Sequence, residues 1–371
     1  MPMAAMAAVQ RTVGGDPSIE PVTIGDPLPH EILVAICAVG VCHTDMVMRD
    51  GLLPVPQPVV LGHEGAGVVL ALGSAVSHLD VGDHVVLSFA HCGACVSCDD
   101  MQPAYCHNWF PLNFLGQRPD GSTSLVDTDG RAIHSHVFGQ SSFATHAVVP
   151  ASNAVKVDKD LPLELLGPLG CGIQTGAGAV LNALRVRPGT SVAVIGVGAV
   201  GLSAVMAAAI AGATTIAALD LNLSRVGIAQ TLGATHGFDA AAASVADHAA
   251  AAGCPAGFDY IIDTTGLTAV CNAALPALAP RGELALVGAY VPGQAVEIDA
   301  TFAMSGGRVV RGVVEGSADP AEFIPRLIAH YRAGRFPFDR LVEYFDFADI
   351  AEAIDAGESG RVIKPVVRMP Q

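Results

Sequence analysis

The chain has 371 residues, enough for about two domains. Hydrophobic residues make up 51% of it and charged residues only 15%, a composition that excludes an intrinsically disordered protein. The net charge of −16 argues against nucleic acid or an anionic membrane surface as a partner, because both attract Lys/Arg patches. The segment 1–16 has no apolar core of a secretory signal, which favours a cytoplasmic protein.

Short strands separated by turn signals are predicted in the first part of the chain. The candidate strands are residues 32–38, 67–72 and 84–89, where apolar and β-branched residues are frequent. Loops that carry cysteines and histidines interrupt this material. We therefore expect residues 1–172 to form an all-β or α+β domain.

Strands and helices alternate in the next part, residues 173–310. Strands are predicted at 192–195, 215–219, 260–262 and 283–287, with helices at 199–211, 224–232 and 268–278 between them. Such alternation predicts a doubly wound parallel sheet with helices on both faces. The uncharged stretch 191–219 is long enough to span a bilayer, but four glycines punctuate it, so a buried strand, a helix and a second strand explain it better.

The last part, residues 311–371, is predicted to hold helices at 323–333 and 347–356 and a closing strand at 362–368. We expect this tail to return to the first domain. The predicted fold class is therefore α/β, with a parallel-sheet domain inserted in a discontinuous, mostly β domain. The apolar segment 309–313 is a candidate edge strand, open to pairing with a second chain.

A glycine turn between a predicted strand and helix indicates a dinucleotide site. Gly196, Gly198 and Gly201 form a G-x-G-x-x-G, in which the backbone approaches a pyrophosphate at a helix N-terminus. Asp220 ends the next strand, where a carboxylate binds ribose hydroxyls and repels a 2′-phosphate, which predicts NAD rather than NADP. Arg225 is expected to contact the adenosine ribose. The alternative for Asp220 is an N-cap of the following helix.

The nine cysteines favour reduced thiols and metal ligation over a disulfide framework, because their number is odd. Four of them follow the pattern Cys-x2-Cys-x2-Cys-x7-Cys. Four thiolates close a tetrahedral shell, so this run predicts a structural zinc that holds together a loop with little core of its own. The alternative is that the four are buried, reduced cysteines without a metal, which explains their clustering poorly. The four residues are Cys92, Cys95, Cys98 and Cys106.

Three further ligand candidates, Cys42, His63 and Cys171, lie in separate glycine-containing fragments. Two thiolates and one imidazole leave a fourth zinc position for water or substrate, which is the arrangement of a catalytic site. Taken alone, each cysteine is equally compatible with a small core residue. Asp45 lies close to Cys42 and Glu64 follows His63, and a carboxylate that holds the second nitrogen of a ligating histidine is the usual partner of such a site.

Together, these motifs resemble the zinc-containing medium-chain alcohol dehydrogenases over essentially the whole chain. Segments 139–144, 165–176 and 336–339 look like the aryl-alcohol (benzyl-alcohol) dehydrogenase branch, to which enzymes for allylic terpene alcohols such as geraniol are similar. The resemblance implies a GroES-like catalytic domain and a Rossmann-type NAD-binding domain. It also implies reversible, zinc-dependent oxidation of primary aromatic or allylic alcohols to aldehydes by hydride transfer to NAD+, with two zinc ions per chain and a homotetramer or homodimer.

The resemblance also assigns roles to individual residues. Cys42, His63 and Cys171 become the catalytic zinc ligands, Asp45 orients His63, and Glu64 lies beneath the metal. Thr44 takes the proton of the alcohol and passes it toward the nicotinamide ribose. The remaining matches are His43 and Lys364 at the pyrophosphate, Val200 and Thr175 at the nicotinamide, and Phe89 in the substrate pocket.

One position departs from the family pattern. Liver-type members end the proton relay with a histidine where this chain has Val47, so His43 or a water chain must carry the proton beyond Thr44. Two rival functions are a thiol-adduct formaldehyde dehydrogenase and a non-enzymatic zinc and NAD-binding protein. The first needs a basic anion pocket, and no Arg/Lys cluster is seen in the substrate-lining segments. The second predicts lost ligands or a lost Thr44, whereas all of them are present.

Overall fold

A computed structural model describes residues 3–370 and separates the chain into two compact units. The first unit comprises the chain up to Cys171, the short segment Asp319–Pro325 and the chain from Asp339 onward. The second comprises Gly172–Ala318 and Arg326–Phe338. The predicted boundaries of the zinc-binding and NAD-binding domains, after residues 172 and 310, remain predictions, because compactness does not report what a unit binds.

Residues 3–171 form ten strands and four short α-helices. Strands β1 to β10 are Met3–Gln10, Ser18–Ile24, Glu31–Gly40, Val59–Val60, Gly65–Leu72, His84–Leu87, Leu125–Val126, Ala132–Ile133, His146–Pro150 and Ala154–Val157. Helices α1 to α4 are His43–Arg49, Val96–Asp99, Trp109–Phe114 and Leu163–Leu166.

The rest of the chain first alternates between strand and helix and then closes with a short tail. Strands β11 to β16 are Ser191–Ile195, Thr215–Asp220, His236–Asp239, Phe258–Asp263, Leu278–Leu286 and Val309–Gly312. Helices α5 to α10 are Gly172–Gly178, Ala199–Ala211, Leu223–Thr231, Val245–Ala251, Thr268–Ala274 and Ala300–Gly306. The tail contains α11 (Pro320–Arg332), β17 (Val342–Asp346), α12 (Ile350–Glu358) and β18 (Lys364–Arg368).

Two sheets of the first unit share one hydrophobic core. Their strand orders are β4-β1-β2-β7-β8 and β10-β6-β5-β3-β18-β17, and β9 also pairs with β3. Both sheets contribute side chains to a single apolar cluster, which includes buried Val9, Ile32 and Val69. Strand β18 returns from the end of the chain and pairs antiparallel with β3, with Val366 opposite Gly40. The prediction of a discontinuous, mostly β unit is confirmed.

The second unit is built on one parallel sheet in the order β13-β12-β11-β14-β15-β16. This order reverses at β11 and is that of the Rossmann fold, whose ligands bind at the carboxyl ends of the strands next to the reversal. The predicted doubly wound sheet is confirmed. Among the described strands, β16 pairs only with β15, which makes it the edge strand expected at 309–313.

The end of one predicted helix differs from the structure. Helix α9 ends at Ala274 rather than near residue 278, because Pro276 lacks an amide hydrogen and clashes with the preceding helical turn. The stretch 191–219 folds as β11, α6 and β12, as expected. Across residues 3–370, no helix is both long and apolar enough to cross a bilayer.

Candidate active site

The four clustered cysteines of the first unit bring their sulfur atoms together. All four Sγ atoms lie within 4.8 Å of one another, with Cys92 and Cys98 3.9 Å apart and Cys95 and Cys98 3.6 Å apart. A tetrahedron with Zn–S bonds of about 2.3 Å has sulfur–sulfur edges of about 3.8 Å. The spacing of Cys92, Cys95, Cys98 and Cys106 therefore fits a zinc ion without rearrangement.

Backbone amides already point at these sulfur atoms. The amides of Cys92 and Asn108 donate to the Cys106 sulfur at 3.3 and 3.4 Å, and the amide of His107 donates to Cys95 at 3.4 Å. Amides of His107 and Cys98 lower the pKa of Cys95 to about 6, whereas burial raises the pKa of Cys98 to about 12. Four thiolates at this distance repel one another, so a divalent cation would allow them to ionise together.

A second group of donors collects in the same unit from three distant parts of the sequence. Ligand atoms of Cys42, His63, Glu64 and Cys171 all lie within 4.8 Å of one another. Cys42 immediately precedes helix α1, His63 ends the loop before β5, and Cys171 follows a short turn of 3-10 helix. A hydrogen bond from Cys171 lowers the pKa of Cys42 well below its usual 9.0, although burial alone would raise it.

The His63 ring is oriented by Asp45. Asp45 Oδ1 lies 2.9 Å from His63 Nδ1 and also accepts the amide of Gly62 at 3.0 Å, while Oδ2 accepts the amide of Cys42 at 3.1 Å. The ring stacks on Phe138, with centroids 4.4 Å apart. Within the described chain, His63 Nε2 is buried and has no hydrogen-bond partner. A buried ring nitrogen in this state, beside two thiols, fits a zinc ligand.

Glu64 and Lys364 form a buried ion pair behind the donors. The Lys364 ammonium lies 2.9 and 2.8 Å from the two Glu64 oxygens and donates to the Val41 carbonyl at 3.0 Å. Burial raises the pKa of Glu64 to about 7, against the opposing effect of the ammonium. These three bonds engage Lys364 with the metal site, and the pyrophosphate contact implied by the family resemblance remains a prediction.

The residues expected to move the proton lie in the first turns of α1. Thr44 is half-buried, two residues after Cys42, and His43 is exposed. Val47 is half-buried one turn further along the same helix. His43 and Thr44 directly follow the ligand candidate Cys42, so the first turn of α1 carries both an imidazole and a hydroxyl.

Phe89 lies in an aromatic cluster that reaches the His63 ring. Only 1% of Phe89 is exposed, and its ring lies 5.2 Å from that of Trp109. Trp109 in turn meets Phe138 edge to face at 6.1 Å, and Phe138 stacks on His63. Phe89 is therefore part of the core of the first unit, and its predicted place in the substrate pocket remains a prediction.

In the second unit, the glycine turn has the geometry that the motif requires. Gly196 has a φ of +84°, and a Cβ on Gly201 would lie 2.0 Å from the Gly196 carbonyl oxygen. At Gly198, the N-cap of α6, a Cβ would meet nothing within 4 Å. The first and third glycines thus serve the turn and the packing of α6, while the second leaves open space at the helix N-terminus, where a pyrophosphate fits.

Asp220 faces this turn from the end of β12. Its carboxylate accepts the amide of Val197 at 2.7 Å and that of Asn222 at 2.8 Å. Asn222 caps α7 by accepting the amides of Ser224 and Arg225, so the alternative role of Asp220 as an N-cap is wrong. The Asp220 carboxylate is therefore held beside the glycine turn, as a ribose ligand would need to be.

The other nicotinamide and adenosine candidates also lie in the second unit. Val200 is half-buried in the first turn of α6, and Arg225 is half-buried in the first turn of α7. Thr175 is buried in α5 and donates from its hydroxyl to Glu315 at 3.5 Å. Their predicted contacts with the cofactor remain predictions.

Sequence reasoning missed two relationships at the donor cluster. Lys364 and Glu64 are 300 residues apart, and no local pattern links them. Gln140 is completely buried and bonds to the His63 carbonyl, although the sequence marks its segment only by a resemblance to one branch of the family. The sequence offers one further signal, a glutamine flanked by a glycine and two serines.

Comparisons with known proteins agree with this arrangement. Residues 28–159 match the family described as Alcohol dehydrogenase GroES-like domain, and residues 199–330 match the family described as Zinc-binding dehydrogenase. The chain is 48% identical to the geraniol dehydrogenase of Castellaniella defragrans, over 98% of each chain.

Two solved structures are also closely similar. One is an alcohol dehydrogenase zinc-binding domain protein from Burkholderia ambifaria, with 49% identity, a TM-score of 0.98 and full coverage of both chains. The other is the benzyl alcohol dehydrogenase of Acinetobacter calcoaceticus, with 42% identity and a TM-score of 0.95, over 99% of this chain and 100% of that one. The expected GroES-like and Rossmann-type architecture is confirmed. The chain belongs to the zinc-containing medium-chain alcohol dehydrogenases.

Proposed function

We propose that this protein oxidises primary aromatic or allylic alcohols to aldehydes, reversibly, with NAD+ as the hydride acceptor. The observation that carries the proposal is the set of half-buried Cys42 with buried His63 and Cys171, in which His63 Nε2 has no protein partner among the described residues. When bound, zinc polarises the alcohol oxygen and NAD+ accepts the hydride.

The protein's own residues prepare the donors for the metal. The Asp45 carboxylate accepts from His63 Nδ1, which fixes the tautomer that presents Nε2 as a lone pair. Glu64 and Lys364 place a compensated charge pair behind the thiols. We assign a second, structural zinc to the four-cysteine cluster, which gives two zinc ions per chain.

Proton movement is assigned to helix α1. The Thr44 hydroxyl accepts the alcohol proton, and His43 serves as the base reached from it, since Val47 carries no titratable group. His43 would also touch the cofactor pyrophosphate, as family resemblance implies. Two bonds of the alcohol break: the O–H bond, whose proton the Thr44 hydroxyl accepts while it passes its own proton to His43, and the carbinol C–H bond, whose hydride NAD+ would accept.

The cofactor role is assigned to the second unit. Gly196, Gly198 and Gly201 form the turn that would receive the pyrophosphate, and Asp220 would bind the ribose hydroxyls. A carboxylate at that place repels a 2′-phosphate, which supports NAD over NADP. Arg225 is assigned to the adenosine ribose, and Val200 and Thr175 to the nicotinamide.

The substrate class is supported by two similar proteins of different names, a geraniol dehydrogenase and a benzyl alcohol dehydrogenase. Geraniol and benzyl alcohol share one chemical feature, a primary hydroxyl on a carbon next to a π-system. The aromatic cluster of Phe89, Trp109 and Phe138 beside His63 suits such a group. A terpene alcohol is therefore the second candidate substrate.

The experiment that tests this function is NADH formation from NAD+ and benzyl alcohol, with and without prior treatment with a zinc chelator. We expect turnover that the chelator abolishes and added zinc restores. Cys171→Ala should lose turnover, while Cys37→Ala, which removes a half-buried thiol outside both donor clusters, should keep it. Turnover that survives complete zinc removal would contradict the proposal.

We also propose a homo-oligomer, a tetramer or a dimer, in which β16 of one chain pairs with β16 of another. Val309 at the start of β16 is 41% exposed, and an unpaired edge strand invites such pairing. Light scattering should then give a multiple of the 37.8 kDa chain mass. A single species at the mass of one chain would contradict this assembly.

A further inference from the structure

We infer that Gln140 is a positioning residue for the catalytic zinc ligands, acting on the main chain of His63 directly and on that of Cys171 through Ser88. This inference rests on the zinc role proposed above for Cys42, His63 and Cys171. The Gln140 side chain makes no hydrogen bond to a ligand atom, and it takes no part in the reaction proposed above.

Every hydrogen-bonding position of the Gln140 amide is used inside the protein. Nε2 donates to the carbonyls of His63 at 2.9 Å and Ser88 at 3.2 Å. Oε1 accepts the amide of Gly65 at 3.0 Å and the hydroxyl of Ser142 at 2.7 Å. The side chain is 0% exposed, so water cannot replace any of these partners. Two carbonyl acceptors on one side and two donors on the other fix the orientation of the amide.

Ser88 extends this network to the third ligand. Its hydroxyl donates to the carbonyl of Gly170 at 2.6 Å, and Gly170 immediately precedes Cys171. The Ser88 carbonyl is the one that Gln140 contacts. Gln140, Ser88 and Gly170 thus form a continuous path of buried hydrogen bonds between the backbone of His63 and that of Cys171.

The loop that carries His63 is also held by backbone hydrogen bonds on either side of that residue, and the amide of Gly40 donates to the Glu64 carbonyl at 3.0 Å. Gly62 has a φ of +87°, and its carbonyl accepts the amide of Ser142 at 2.7 Å. Asp45 fixes the His63 ring from one side, while Gln140 fixes its carbonyl from the other. Ring orientation and main-chain position are therefore set by two different residues, and the family resemblance accounts only for Asp45.

Loss of the amide should loosen the metal. Gln140→Met keeps the length of the side chain and removes one bond to the Ser88 carbonyl, which still accepts the Asn153 amide at 3.4 Å. The His63 carbonyl, the Gly65 amide and the Ser142 hydroxyl are left buried without a partner. Such groups move to find one, which displaces the loop. Changes to residues that support metal ligands typically cost 10–100-fold in metal affinity or activity. We expect the catalytic zinc to leave Gln140→Met about 10–100-fold faster than it leaves the parent protein.

The test measures zinc release from the zinc-loaded full chain into a chromogenic chelator, together with the visible spectrum after cobalt substitution. The release phase of the catalytic site is identified as the one missing in Cys171→Ser. Gln140→Met should accelerate that phase and shift the cobalt bands, which report ligand geometry. The release phase of the four-cysteine site should keep its rate.

Asn113→Leu is the matched control. Asn113 is also 0% exposed and bonds through its amide to the backbone of Ala90 and Trp109, beside the four-cysteine loop and not to the segments that carry Cys42, His63 or Cys171. Its loss should lower the Tm as much as that of Gln140 but leave the cobalt bands and the zinc release rate of the catalytic site in place. If Gln140→Met lowers the Tm while the catalytic release rate and the cobalt bands match those of the parent, Gln140 is merely structural and the inference is overturned.

Ser88→Ala supplies an independent variant that removes only the bond to Gly170. It should also accelerate catalytic zinc release, and the double variant Gln140→Met/Ser88→Ala should be no faster than the more affected single variant, because both lie on one path. Additive effects would show two separate contributions and would overturn the path through Ser88. If Cys171→Ser keeps both release phases, the proposed zinc role fails, and this inference fails with it.

Discussion

The Lys364 ammonium meets both carboxylate oxygens of Glu64, at 2.9 and 2.8 Å, and neither side chain is more than 3% exposed. A buried charge without its partner is costly, so each of these residues depends on the other. Burial still raises the pKa of Glu64 to about 7, because the ammonium offsets only part of the desolvation. A carboxylate oxygen of Glu64 lies within 4.8 Å of the sulfur atoms of Cys42 and Cys171.

Lys364→Met should destabilise the protein by about 3–5 kcal/mol at pH 8, because it leaves the Glu64 carboxylate buried alone. The effect should shrink at pH 5.5. The ammonium lowers the pKa of Glu64 against the effect of burial, which leaves it at about 7, so without Lys364 this pKa lies higher still and the buried Glu64 is protonated and neutral at pH 5.5. The cost of the variant is therefore absent at low pH and appears as the pH rises through that folded-state pKa. Denaturant titration at both pH values measures the difference.

The control for this pair is Arg361→Met, which removes an exposed ion pair with Glu352 at 3.4 Å and should cost about 0–1 kcal/mol at either pH. Lys364→Met/Glu64→Gln should recover part of the stability that Lys364→Met loses at pH 8. Equal losses for Lys364→Met and Arg361→Met at pH 8 would show that Glu64 does not need its partner.

Metal analysis should return two zinc ions per chain. Cys171→Ser should keep one zinc and the parent Tm, whereas Cys98→Ser should also keep one zinc but unfold at a lower temperature. The reason is that the four-cysteine cluster closes a loop whose side chains, such as Val96 at 66% exposed, have little core of their own. Cys254→Ser, outside both clusters, should keep two. A parent protein with a single zinc would rule out the two-site assignment.

Asp220→Gly should raise kcat/KM with NADP by at least about tenfold relative to NAD, because the carboxylate that repels the 2′-phosphate is gone. Asp239→Gly, the partner of Asp220 in the register of β12 and β13, should leave the ratio unchanged. Steady-state rates with each cofactor decide the matter. The argument fails if the parent already uses both cofactors equally.

His43→Gln should depress turnover more at about pH 6–7 than at about pH 9, where hydroxide can take over as base. The exposed position of His43 next to Thr44 on α1 leaves its imidazole open to solvent. The pH profile of kcat is the measurement, and His107→Gln, an exposed histidine beside the four-cysteine cluster, is its control. A parallel profile with a raised KM for NAD+ alone would assign His43 to the cofactor.

The fold was predictable where the sequence signal is local. Helix α6 begins and ends at the predicted residues, because a glycine turn precedes it and Gly212, in a left-handed conformation, ends it. Strand β1 was missed because its sequence, rich in alanine, carries no strand propensity of its own; pairing with β2 and β4 makes it a strand.

The candidate site, too, was predictable only where the sequence signal is local. Cys42, His63, Cys171 and the four clustered cysteines were predicted from the chemistry of each fragment, and the structure brings each set together. The bonds of Gln140 to Ser88 and His63 and the Glu64–Lys364 pair were not predictable, because these partners are separated by 52 to 300 residues. Contacts of that kind follow from the packing of whole sheets and leave no local pattern.

The most direct test of the account is the ratio of kcat/KM for benzyl alcohol to that for ethanol, measured with NAD+ on the zinc-loaded protein. Burial of a ring should gain about 2–3 kcal/mol over an ethyl group, which corresponds to a preference on the order of 100-fold. Cinnamyl alcohol and geraniol should show a similar preference. Comparable kcat/KM for ethanol and benzyl alcohol would mean that the aromatic cluster around Phe89 is core alone, and would contradict the proposed substrate class.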